Sequence, residues 1–228
     1  MYVTYVNHSG VAVRWKGAML VFDYYQGKIP EVSKETPVIV FVSHSHADHF
    51  RLKIFEWQNV YTNIDYVISD DVSLKQKGDN IHRIGPNQES NVSGFDIQTL
   101  KSTDEGVAFI VTKDGESIYH AGDLNWWHWE GESDAFNTFQ RVKYKAAIDK
   151  IEGKEFSLAC LPLDGRLEDS YSTGFKYFME HTNTNNALPI HMWGDFGVID
   201  RIKADPQASS YAGRILNVTH DGQEFEVS

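Results

Sequence analysis

The chain has 228 residues, 41% hydrophobic and 23% charged, with 21 Lys and Arg against 32 Asp and Glu for a net charge of −11. That composition excludes disorder, collagen and coiled coil as the main architecture. The acidity argues against sequence-independent binding to nucleic-acid backbones and to anionic membranes.

A chain of this length buries about 70–75% of its unfolded surface and needs no disulfide staples. Its one cysteine, Cys160, lies in an apolar run and reads as a buried thiol. The N-terminus lacks the basic region and apolar stretch of a signal peptide. No run approaches the ~20 apolar residues that span a bilayer. The expectation is a soluble, cytoplasmic protein with a single domain over residues 1–228.

The first 42 residues read as strands. Residues 11–15 and 18–22 flank Lys16-Gly17, a hairpin-like turn, and Asp23 ends the second run. Residues 38–42 are continuously apolar, which suits a strand buried on both faces. Further strands are expected at 66–68, 95–100, 107–111 and 117–120, with Asp114-Gly115 turning between the last two. From 134 to 151 the period changes. Phe136, Phe139, Val142, Ala146 and Ile151 recur at helical spacing, with Ser133 as N-cap and Gly153 past the end. A strand at 157–161, a helix at 173–181, a strand at 187–190 and strands around 215–218 and 224–227 complete the chain. A strand meander followed by strands alternating with helices suggests two sheets covered by helices.

The chemistry concentrates in Ser43-His44-Ser45-His46-Ala47-Asp48-His49, directly after the buried strand. Imidazole suits Zn, Fe, Mn and Ni, and a carboxylate widens the choice. A tight loop can point His44 and His46 one way and Asp48 and His49 the other, a geometry for two adjacent metals.

This His-x-His-x-Asp-His loop resembles the defining motif of the metallo-β-lactamase-fold superfamily. The likeness extends along nearly the whole chain, from the Phe22-Asp23 strand end onward. Tyr119-His120-Ala121-Gly122-Asp123 resembles the family's Gly-Asp element, which implies that Asp123 bridges two metals. Leu188-Pro189-Ile190-His191 resembles its final element, which implies that His191 binds the second. One element departs: no histidine occurs between His82 and His120, where the family has its third. Asp104 stands in that place. Two readings remain open, a hard oxygen ligand that shifts preference toward Mn or Fe and a loop carboxylate that binds nothing.

Three weaker candidates surround this set. His120 is read either as a contact to substrate or ligands or as core packing. Trp126-Trp127-His128-Trp129 is read either as a lid, with His128 reaching substrate, or as ordinary loop packing. Arg166, after a predicted strand, either holds a phosphate or carboxylate or forms a surface ion pair.

The resemblance implies an αββα four-layer sandwich and a metal-dependent hydrolase. One or two divalent ions are expected, Zn first and Mn or Fe as alternatives, held by His44, His46, Asp48, His49, Asp123 and His191. Asp48 would orient the nucleophile. The pattern looks most like the branch containing ascorbate-6-phosphate lactonase, which implies a small ester, lactone or phosphoester as substrate. The rivals are a scaffold that has lost catalysis with the third histidine and, more remotely, a di-iron redox protein. No nucleic-acid or membrane partner is expected, and the oligomeric state is open.

Overall fold

The structure, a computed structural model, describes residues 1–227. β1 (Tyr2–Asn7), β2 (Gly10–Trp15) and β3 (Ala18–Phe22) form an antiparallel meander. β4 (Val38–Val42), β5 (Ile64–Ser69) and β6 (Ile81–Ile84) extend it in parallel. The turn predicted at Lys16-Gly17 has φ of 50° and 79°, the two positive values that a tight I′ hairpin requires.

The second sheet begins with β7 (Glu89–Val92), β8 (Phe95–Lys101), β9 (Val107–Lys113) and β10 (Glu116–His120), all antiparallel. Helix α1 (Asp134–Ile148) leads through the short β11 (Glu155–Phe156) to β12 (Leu158–Pro162), parallel to β10. Helix α2 (Thr173–His181) and the short β13 (Asn183–Thr184) precede β14 (Ala187–Ile190), parallel to β12. Helix α3 (Gly197–Ala204) follows, and β15 (Gln223–Glu226) returns to pair with β1. The strand orders are β15-β1-β2-β3-β4-β5-β6 and β14-β12-β10-β9-β8-β7.

Strand periodicity explains the layers. In β3 and β4, Leu20, Phe22, Ile39 and Phe41 enter the core shared with the second sheet. The alternate residues Met19, Val21, Val38 and Val40 enter a separate core beneath Ile54 and Phe55. In β10, His120 stacks on Phe22 of the first sheet at 4.9 Å. Its neighbour Tyr119 instead meets Phe178 of α2 at 4.6 Å. Helices, second sheet, first sheet and an outer cover therefore stack in that order. The outer cover of the first sheet is a 3-10 segment, Leu52–Asn59, rather than an α-helix.

Two expectations are corrected. Helix α1 has the predicted Ser133 cap, whose Oγ accepts from Phe136 N at 3.2 Å, but it is rotated from the predicted face. Phe139 and Val142 are 55% and 54% exposed, while Asn137, Gln140, Tyr144, Ala147 and Ile148 are buried. Asn137 sets this rotation by bonding both backbone groups of Trp129, at 3.0 and 2.9 Å. The strand expected at 215–218 reduces to one bridge, Ile215 to Ala187. Sequence periodicity also missed β6, β7 and α3, which are short.

The topology brings the functional loops together. β3 runs parallel to β4, and β10, β12 and β14 run parallel to one another. Their C-terminal ends carry Asp23, His44–His49, Asp123, Asp164 and His191.

Candidate metal centre

Three buried imidazoles of the cluster, His44, His49 and His191, are each anchored through Nδ1 and point Nε2 inward. Ser43 Oγ donates to Asp23 Oδ2 at 2.6 Å, so it accepts from His44 Nδ1 at 2.9 Å. His49 Nδ1 donates to Asp23 Oδ2 at 2.8 Å. His191 Nδ1 donates to Asp164 Oδ2 at 3.0 Å. These bonds fix the tautomers and leave each Nε2 as a lone-pair donor, the arrangement usual around metal-binding histidines. The three Nε2 atoms converge on Asp123. Its Oδ1 lies 3.2 Å from His49 and 3.5 Å from His191, and its Oδ2 lies 3.5 Å from His44.

These separations suit a shared ion. Ligand bonds of about 2.0–2.1 Å to zinc place tetrahedral donors about 3.4 Å apart. His49 Nε2 and Asp123 Oδ1 are buried and have no hydrogen-bond partner, so two lone pairs face each other across 3.2 Å. Positive charge between them resolves that, either a metal ion or a proton on His49 Nε2. The electrostatics show the same demand for positive charge at this point. Burial favours the neutral form of Asp123, yet His49 and His191 hold its carboxyl well below the usual range. Burial likewise opposes charge on His49, but Asp123 and Asp23 raise its pKa well above the usual value. At Asp164, burial is outweighed by hydrogen bonds from His191 and Arg166, which bring the pKa down to about 2.

The donor atoms form two groups, each within 4.8 Å: His44, His46 and Asp123, and His8, Asp48, His49 and His191. All six residues expected as ligands from the motif are thus brought together. Asp104 Oδ2 stands 3.8 Å from His46 Nδ1 but does not join the first group.

The groups border a cavity of about 240 Å³ whose lining includes His46, Asp48, Asp104, Asp123 and His191. Trp127, Trp129, Phe136, Gln140, Arg166 and Trp193 complete the lining, with Trp127 packed on His191 at 5.3 Å. Arg166 lies between Trp129 and Trp193, at 5.7 and 4.9 Å from their ring centroids. Its Nε and Nη2 pair with Asp164.

Two candidates are corrected. His120 is fully buried, with Nε2 donating to Ser9 O at 2.9 Å and Nδ1 accepting from Gly122 N at 3.1 Å. Both ring nitrogens are spent within the fold, so it does not reach substrate. His128 is not part of the lining; its neighbours Trp127 and Trp129 take the inward positions.

Sequence reasoning missed three residues. Asp23 and Asp164 each sit at a strand end, the only signal they offer. His8 lies in the β1–β2 turn with φ of 54°. Its signal was a histidine where a turn normally takes Gly, Asn or Asp.

A family model described as a β-lactamase superfamily domain matches residues 2–130. A UPF0173 metal-dependent hydrolase of Methanospirillum hungatei is 24% identical, covering 100% of this chain and 99% of that protein. The solved structure of Igni18, a metallo hydrolase of Ignicoccus hospitalis, superposes with a TM-score of 0.66 at 20% identity, covering 99% of this chain and 98% of that one. A metallo-β-lactamase-fold protein of Bacillus subtilis, YhfI, gives 0.59 at 17% identity, covering 99% of both chains. With the motif loop, the two-sheet sandwich and the strand-end histidine and aspartates all in place, the chain belongs to the β-lactamase superfamily and has its metallo-β-lactamase fold.

Proposed function

We propose that the protein is a metal-dependent hydrolase of a small ester, lactone or phosphoester, with zinc as the first choice of metal. The carrying observation is the convergence of three anchored Nε2 atoms on the two oxygens of Asp123. The names of its relatives support the same activity. When bound, such ions lower the pKa of a coordinated water toward neutrality and polarise the substrate oxygen.

The chain's own residues supply the rest. His44 and His46 would hold one ion and Asp48, His49 and His191 the other, with Asp123 available to both. Asp48 is partly exposed to the cavity and its carboxylate orients the attacking water. Asp164 and Asp23 hold His191 and His49 in register. The tryptophan wall excludes bulk water and seats an apolar body. Arg166 supplies positive charge to the cavity lining. A volume of 240 Å³ falls below the roughly 300–1,000 Å³ of drug-sized pockets, which favours a small substrate.

Elemental analysis of protein purified without chelator, combined with a panel of esters, lactones and phosphoesters, tests this. We expect at least about one ion per chain, the minimum for metal-assisted hydrolysis, and turnover that disappears in Asp123→Ala. Absence of metal, with no uptake of added Zn, Mn or Fe, would overturn the reading.

A further inference from the structure

We propose that His8 is an additional metal ligand, and that the half-site it completes fills before the half-site of His44 and His46. The inference rests on the metal-dependent reading above. His8 is only 5% exposed, yet neither ring nitrogen has a hydrogen-bond partner. A buried unsatisfied polar group is costly, about 1–3 kcal/mol, and a non-glycine residue at positive φ adds to that. The fold nevertheless pins the turn. His191 N donates to His8 O at 3.2 Å, and His120 Nε2 donates to Ser9 O at 2.9 Å. The turn is thereby tied to a strand end that carries a ligand and to the core beneath.

The position of the ring identifies its role. His8 Nε2 lies 3.3 Å from Asp48 Oδ2 but is too poorly aligned for a hydrogen bond. A charge-assisted N–H···O bond would measure about 2.7–2.9 Å, whereas two donors on one ion stand about 3.4 Å apart. The His8 ring also packs against His191 at 4.4 Å, and its donor atom falls within 4.8 Å of those of Asp48, His49 and His191. That half-site therefore has four protein donors before Asp123 is counted. The other has His44, His46 and Asp123, and the His46 side chain is 43% exposed. More donors on more rigid supports bind more tightly.

Cobalt(II) titration followed by proton NMR decides the matter. At one equivalent, hyperfine-shifted ring N–H resonances are expected from His8, His49 and His191. His8→Ala should remove one of them and weaken the first equivalent by more than the about 10–100-fold expected for an outer partner. His46→Ala should leave the first equivalent intact. Resonances from two histidines only, unchanged in His8→Ala, would show that His8 merely positions Asp48 and would overturn the ligand assignment while leaving the hydrolase reading standing. Loss of the first equivalent in His46→Ala would overturn the filling order. No cobalt uptake by the parent protein would overturn both readings. The wild-type resonance count decides the ligand question even if His8→Ala fails to fold.

Discussion

Asp23 shows how far the site extends beyond its ligands. Its carboxylate is completely buried and accepts from Ser43 N at 2.8 Å, from Ser43 Oγ and from His49 Nδ1. Asp23→Asn keeps the shape but replaces one acceptor oxygen with a donor, so His49 loses its fixed tautomer. We expect metal affinity to fall about 10–100-fold with the fold retained, measured by competition against a chromophoric chelator; unchanged affinity would deny Asp23 an orienting role. Asp104 is a separate case. Its carboxylate lies 3.8 Å from His46 Nδ1, near enough to close on an ion held by His44 and His46. Asp104→His should raise zinc affinity there and shift preference away from manganese, because imidazole is the softer donor. Asp104→Ala should lower occupancy. Equal zinc binding by all three proteins would show that Asp104 is no ligand. The candidate ligands were legible in the sequence because four of them share one short loop. Asp23 and Asp164 were not, since they meet their histidines across 26 and 27 residues and look like ordinary strand-end carboxylates.

The loop between β8 and β9 reaches the site only because it contains Gly106. A Cβ there would come within 1.9 Å of Ser43 O, and the residue has φ of 63°. Strand β4 and its histidine loop therefore accept β9 alongside them only at a glycine. Gly106→Ala should destabilise the protein by at least about 1–3 kcal/mol, the scale of enforced backbone strain, and weaken metal binding by displacing His44. Urea denaturation and metal titration of the variant would check both effects. Helix α1 permits a contrasting test. Periodicity assigned Phe139 to the buried stripe, but side-chain bonds from Asn137 turned the helix and left Phe139 outside. Phe139→Ser should change stability by no more than about 0.5 kcal/mol, as at other surface positions. Phe178→Ala, in the core of α2, should cost about 3–5 kcal/mol. Apolar spacing located both helices; it failed on the facing of α1 because two polar residues, Asn137 and Gln140, point inward.

The six candidate ligands, with His8, come from the β1–β2 turn, the loop after β4, the end of β10 and the end of β14, so a metal held there would tie both sheets together. That closure was legible in outline, since each ligand follows an apolar run. The strand order was not: β15 pairing with β1 is a contact between chain ends, and no local pattern encodes it. The same closure would make stability depend on metal. An ion that binds the native chain and not the unfolded one stabilises by RT ln(1 + [L]/Kd), about 2.7 kcal/mol at a hundredfold excess over Kd. Each kcal/mol is worth about 2–4 °C of Tm for a domain of this size. Chelator should therefore lower the thermal midpoint by roughly 5–10 °C, by that conversion, and restored zinc should raise it again. Asp123→Ala supplies the control. Without the residue that spans both half-sites, its midpoint should respond far less to chelator. An equal shift in parent and variant would mean that chelator acts elsewhere on the protein, and a parent that does not shift would mean that no ion links the two sheets.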